Sequence, residues 1–284
     1  QALVVENLVD QGEYRVYDSA GRVAYLIDLA GTLQQIGYDA AGRMTITRSY
    51  ATLFSVGTTL RDALRAGTAT VADFATFATA NESAARTQAM VYDTAGRARY
   101  TVTRSAAGIA QVTETQYDAA GRVVASVQYG VNIGFSTTYN EAGVAAALNT
   151  ALSTDPLIRA NQIRTQRIVY DTAGRQRFML DATGALAEWR YDGAGRVTDT
   201  IAYGQRPPAT TTTETGLSAW ANAQPAVDVR RTQSAYDASG RLQLRTDALN
   251  KTESFSYDGA DRLLTRTDRN NAVWTYQYDA AGRR

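Results

Sequence analysis

The chain contains no cysteine and no histidine. Without cysteine there is no disulfide and no thiolate metal site, so a small disulfide-stapled scaffold is excluded. Without histidine, Ser-His and Cys-His catalysis, His-ligated zinc or haem, and histidine pH switching are all excluded. Lysine is nearly absent as well: Lys251 stands alone against 28 arginines. Net charge is +1, which supplies no electrostatic reason to bind nucleic acid or an anionic membrane. No apolar run approaches the length of a membrane helix. No glycine-rich phosphate loop and no Asp-x-Asp-x-Asp-Gly calcium loop occurs, so neither cofactor nor metal is expected.

What is present is repetition. Tyr-Asp-x-x-Gly-Arg starts at Tyr17, Tyr38, Tyr92, Tyr117, Tyr170, Tyr191, Tyr236, Tyr257 and Tyr278. The aspartates are Asp18, Asp39, Asp93, Asp118, Asp171, Asp192, Asp237, Asp258 and Asp279. The arginines are Arg22, Arg43, Arg97, Arg122, Arg175, Arg196, Arg241, Arg262 and Arg283. Gly21, Gly42, Gly96, Gly121, Gly174, Gly195, Gly240 and Gly282 hold the fifth place, and Asp261 replaces glycine in the eighth copy. Asp at the first position of a type I turn bonds the backbone ahead of it. Gly three places on takes the positive φ that closes a three-residue hairpin. A second turn, such as Asp181-Ala-Thr-Gly184, lies midway between paired copies, at Asp28, Ser105, Asp247 and Asp268 as well. Where glycine is lost, Asn or Asp stands in, the residues that best tolerate the left-handed region. The spacing predicts a meander of short antiparallel strands.

Paired copies lie 21 residues apart, or 25 for Tyr92 and Tyr117, both odd numbers, whereas side chains alternate with period two. For the tyrosines to share one face, each unit needs an even loop or a bulge. The regular units span 17–43, 92–122, 170–196 and 236–283, separated by inserts at about 44–91, 123–169 and 197–235. The inserts open alike, with MTITRSYA, VVASVQYG and VTDTIAYG, then turn helix-like. Helices are expected near 59–66 (capped by Thr59 and stopped by Gly67), 71–80, 141–152 and 217–223, with Trp220 anchoring the last to the sheet. Asp155-Pro156 reads as a cap followed by a first-turn proline. An incoming strand at Ala2–Val5 and a turn near Asp10-Gln-Gly12 complete the chain.

These nine copies resemble the YD repeats of the Rhs family, which includes Tc-toxin shell subunits and teneurin barrels. The resemblance spans Tyr14 to Arg283 and implies a mainly β fold, an antiparallel YD-repeat meander wound into a spiral shell, here with three short helical inserts. It also implies secretion or surface display. Many Rhs proteins carry an Asp-Pro-x-Gly segment that releases a terminal toxin; Asp155-Pro156-Leu-Ile lacks that glycine.

Nine similar copies argue that Tyr, Asp, Gly and Arg are structural parts, with Asp18 and Arg22 facing each other across the ladder. Trp189 with Tyr191, and Trp274 with Tyr276, share a face at spacing two and form a candidate glycan platform. The expected function is a non-catalytic wall segment of a large bacterial secreted or surface protein, a toxin-encapsulating shell. The alternative is a stretch of adhesin or fibre binding glycans or sister chains. The chain starts at Gln1, stops at Arg284 and shows no capping device at either edge. It is therefore expected to be a piece of a longer array whose edges meet flanking repeats or head-to-tail copies.

Overall fold

The computed structural model describes residues 13–28, 30–55, 57–105, 110–136 and 139–284. The expected strand at Ala2–Val5, the turn at Asp10–Gly12 and the tip of the turn that starts at Ser105 lie outside these residues. The chain divides into two compact units, residues 1–164 and 165–284.

In the first unit, strands β1 (Glu13–Tyr17), β2 (Val23–Asp28), β3 (Leu33–Tyr38) and β4 (Met44–Ser49) precede helices α1 (Thr58–Ala66) and α2 (Ala72–Asn81). Strands β5 (Arg86–Tyr92), β6 (Ala98–Arg104), β7 (Ala110–Tyr117) and β8 (Val123–Ile133) follow, then α3 (Glu141–Ala151) and α4 (Pro156–Asn161). Each strand pairs antiparallel with the next, so β4 meets β5 despite the intervening helices.

The second unit repeats the scheme. Its strands are β9 (Ile163–Tyr170, entering from the boundary), β10 (Gln176–Leu180), β11 (Leu186–Tyr191) and β12 (Val197–Tyr203). After α5 (Glu214–Asn222) come β13 (Val229–Tyr236), β14 (Leu242–Thr246), β15 (Thr252–Tyr257), β16 (Leu263–Thr267) and β17 (Val273–Thr275). All successive pairs are again antiparallel.

The hairpins form as their residues demand. Gly21, Gly42, Gly96, Gly121, Gly174, Gly184, Gly195, Gly240 and Gly282 all have φ between 75° and 85°, and Gly31 has 87°. Asn250, Asp261 and Asn271, the three positions where glycine is replaced, are left-handed too, at 57°, 63° and 64°. The parity problem is solved by a bulge. Tyr236 pairs with Leu242 but Ala235 with Leu244, so Gln243 has no partner. The same slip occurs beside Tyr17, Tyr38, Tyr92, Tyr117, Tyr191 and Tyr257. One extra residue per unit makes an odd period even, and the motif tyrosines stay on one face.

The opposite face carries the core. Tyr25, Ile27 and Leu33 pack under Leu64 of α1 and Phe74 and Ala78 of α2. Tyr100, Val102 and Val112 pack under Val144 and Leu148 of α3, and Phe178, Leu186 and Ile201 under Leu217 and Ala221 of α5. Such short helices are stable only because they bury an apolar stripe on the sheet.

Their ends differ in places from the sequence expectation. α1 starts at Thr58 with Gly57 as its cap residue, so Thr59 lies inside the helix; Gly67 ends it at φ 68°. α5 starts earlier than expected because the Thr213 side chain accepts from the N–H of Gly216. α4 is an additional helix of six residues, too short to show periodicity. Asp155 caps it by accepting from Leu157 and Ile158, with Pro156 in the first turn. Among the described residues, no helix is long and apolar enough to cross a membrane, which says nothing of strands.

Candidate functional site

Within each motif the aspartate is saturated. Asp18 Oδ1 accepts from the N–H of Ala20 and of Arg22, and its Oδ2 takes the Arg22 guanidinium. The Asp–Arg ion pair recurs in all nine copies at 2.7–2.8 Å. These bonds hold the carboxyls below the ordinary aspartate range. In Asp39, Asp93, Asp118, Asp192, Asp258 and Asp279 the largest cause is the backbone N–H of the motif arginine, and in Asp18 and Asp237 it is the guanidinium.

The tyrosine works between motifs. Arg22 lies over the ring of Tyr38, Arg43 over Tyr92 and Arg97 over Tyr117 in the first unit. In the second, Arg175, Arg196, Arg241 and Arg262 lie over Tyr191, Tyr236, Tyr257 and Tyr278. Guanidinium-to-ring distances are 4.4–4.9 Å, a cation–π stack. Each of these tyrosine hydroxyls donates to the carbonyl of the residue just after the covering arginine, as Tyr38 does to Val23 and Tyr257 to Leu242. Tyr92 reaches Met44 and Tyr236 reaches Val197 in the same way, across an insert.

The relay also accounts for the one glycine missing from the motif. A Cβ at Gly96 or Gly240 would sit 3.2 Å from Nη1 of the preceding motif's arginine. At the equivalent place Asp261 uses that proximity, bonding Arg241 Nη1 at 2.7 Å. Aspartate is thus the replacement that turns a close contact into an ion pair.

A second set of polar residues lies on the core face, beneath the inserts. Glu188 is fully buried, with Arg177 and Arg190 each at 2.7 Å and the Tyr203 hydroxyl donating to its other oxygen. Glu114 is equally enclosed, by Arg99, Gln116 and the Tyr129 hydroxyl. At the same position of the 17–43 repeat stands Gln35, which accepts from Tyr50 and Arg48. Arg48 and Arg99 reach on to Glu82 and Glu141 at helix ends, tying insert to sheet. Burial raises the Tyr50 hydroxyl to about 12. Burial, then the bond to the neighbouring glutamate, raises Tyr129 and Tyr203. A buried carboxylate is tolerable because each is fully partnered.

Sequence reasoning missed these nodes. A signal exists for them: an acid or amide three residues before a motif tyrosine, and a tyrosine seven after the next motif arginine. The shared openers of the inserts contain that second tyrosine.

The family model for the RHS Repeat matches residues 236–273 and 260–284. These are the copies that run without an insert, and their hairpins have the same geometry as the six copies upstream. Residues 236–284 are thus RHS repeats by sequence. No curated protein matches it in sequence. Among solved structures, a crystal structure of TcdB2-TccC3-Cdc42 is 16% identical with a TM-score of 0.26. A Photorhabdus luminescens Tc holotoxin pore carrying a TccC3 mutation is 15% identical with a TM-score of 0.27. Each is matched over 95% of this chain but only 15% of its own length.

The candidate platform residues of these YD repeats are brought together only in pairs. Trp189 is half-buried and its carbonyl accepts from Arg177, while Tyr191 lies under Arg175. Trp274, on β17, is 44% exposed with Arg266 over its ring, and Tyr276 has Arg284 over its own. Three of these four rings therefore already carry a guanidinium on one face.

Proposed function

We propose that the chain is a non-catalytic length of sheet wall in a larger bacterial secreted or surface protein, whose repeats enclose a toxin segment. The observation that carries this reading is the Arg–Tyr relay. It uses the polar groups of each motif to join one hairpin to the next, and it does so identically whether or not an insert intervenes. A motif whose charges are consumed by the neighbouring repeat is suited to building surface rather than to chemistry. Its natural partners are further repeats of the same array.

The test is protease protection in the intact parent protein. A segment enclosed by such a wall resists protease while the wall is folded. It becomes sensitive when the relay is broken by Tyr236→Ala and Tyr257→Ala together. Full sensitivity of the segment in the folded, unmutated protein would refute enclosure. Binding of the chain to a glycan array, lost on Trp274→Ala, would instead support the adhesin reading.

A further inference from the structure

We infer that a cleft between β7 and β8 of the first unit binds a carboxylated sugar ring of the hexuronic-acid type. The inference is independent of whether the wall encloses or displays. The cleft originates in a pairing irregularity. Ala110 pairs with Ile133 and Val112 with Tyr129, so three residues of β8, 130–132, bulge opposite Gln111. At the bulge Gly130 donates to the carbonyl of Gln162 at 2.7 Å, and a Cβ there would come within 3.4 Å of that oxygen. This close approach brings Arg164, two residues further on, against the strand pair. The hollow has a volume of about 320 Å³, the small end of ligand pockets, suited to one ring rather than a polymer.

Its lining states the ligand chemistry. Gln111, Thr113 and Gln128 contribute two amides and a hydroxyl, Arg164 contributes a guanidinium, and no acidic residue lines it. The motif arginines are neutralised by their aspartates, whereas Arg164 has no acid partner among the described residues. A planar guanidinium recognises a carboxylate bidentately, and amides with a hydroxyl match the mixed donors and acceptors of sugar hydroxyls. One cation fits one carboxylate; a phosphate dianion would call for more.

The repeat supplies a control. Gly204 donates to the Asp228 carbonyl in the same manner, and Arg230 follows two residues later, as Arg164 follows Gln162. There the strands β12 and β13 pair without a bulge.

Isothermal titration of the intact chain with D-glucuronate, D-glucose and an N-acetylated aspartyl dipeptide tests the assignment. Glucuronate should bind in the millimolar range, glucose and the dipeptide at least about tenfold more weakly. Arg164→Gln should weaken glucuronate about tenfold and Gln128→Ala severalfold, while Arg230→Gln leaves it unchanged; circular dichroism confirms that each variant is folded. The assignment is overturned by absence of glucuronate binding, by equal binding of the dipeptide, or by equal losses in Arg164→Gln and Arg230→Gln.

Discussion

Two stretches of the second unit share the repeat and differ in everything laid over it. In residues 170–222 the core face is apolar: Phe178 and Leu186 are buried under α5, and Glu188 sits in its arginine–tyrosine node. In residues 236–275 the same repeat positions hold Leu244, Thr252 and Ser254, no helix among the described residues covers them, and Leu244 is 37% exposed. The hairpins are nonetheless alike, with the same positive φ, the same Asp–Arg pair and the same Arg-over-Tyr stack. Local turn chemistry and the relay therefore define the sheet. The core face determines only whether a helix must be laid on it. An uncovered face survives because it was written in serine and threonine.

The largest expected effect separates the two stretches. Phe178→Ala removes a fully buried ring and should cost about 3–5 kcal/mol. Leu244→Ala, at the same repeat position, should cost only about 1 kcal/mol because its side chain is partly exposed and no packed helix is left with a cavity. Urea unfolding of the two variants gives the contrast directly; equal losses would mean that the bare face is covered in solution.

A middling effect should ignore the difference. Gly195 and Gly240 both hold φ above 80°, and alanine in the left-handed region costs about 1–2 kcal/mol. Gly195→Ala should therefore lose about that much and Gly240→Ala slightly more, since its Cβ meets Arg196 at 3.2 Å against 4.0 Å from Arg175 at Gly195. Asn at either place should recover part of the loss, as Asn250 takes the same conformation in the native chain. A much larger loss at Gly195 would show that the insert, not the turn, dominates hairpin stability.

The smallest effect is absent at neutral pH. Tyr203 is raised above the ordinary tyrosine value by burial and by its bond to Glu188. A raised group contributes stability that is complete below the unfolded value, about 10, and lost as pH climbs through the folded one. The thermal midpoint of the 170–222 stretch should thus fall above about pH 10, and Tyr203→Phe should flatten that fall. Residues 236–275 have no counterpart to this node. Tyrosine absorbance and circular dichroism between pH 8 and 12 check both points.

Much of this was legible in the chain. Asp followed three places later by Gly, Asn or Asp names a turn wherever it occurs, because the bonds that make it lie within five residues. An odd period made a bulge predictable, and the change to helix-like spacing located four helices. α4 escaped because one turn and a half is too short for a period, although its Asp-Pro cap was visible. The buried nodes escaped for a different reason. Glu188 and Tyr203 are polar letters in strands, and in a half-exposed sheet such letters ordinarily face water.

The sequence by itself determined the hairpins, the strand order and the positions where helices interrupt it, since each depends on contacts between near neighbours. It did not show that Arg43 would cover Tyr92, because only strand pairing across an insert brings those two residues together. Nor did it show which face would be dry. That depends on where α1, α2, α3 and α5 fold back, and only their coverage turns Glu114 and Glu188 from solvated charges into partnered buried ones.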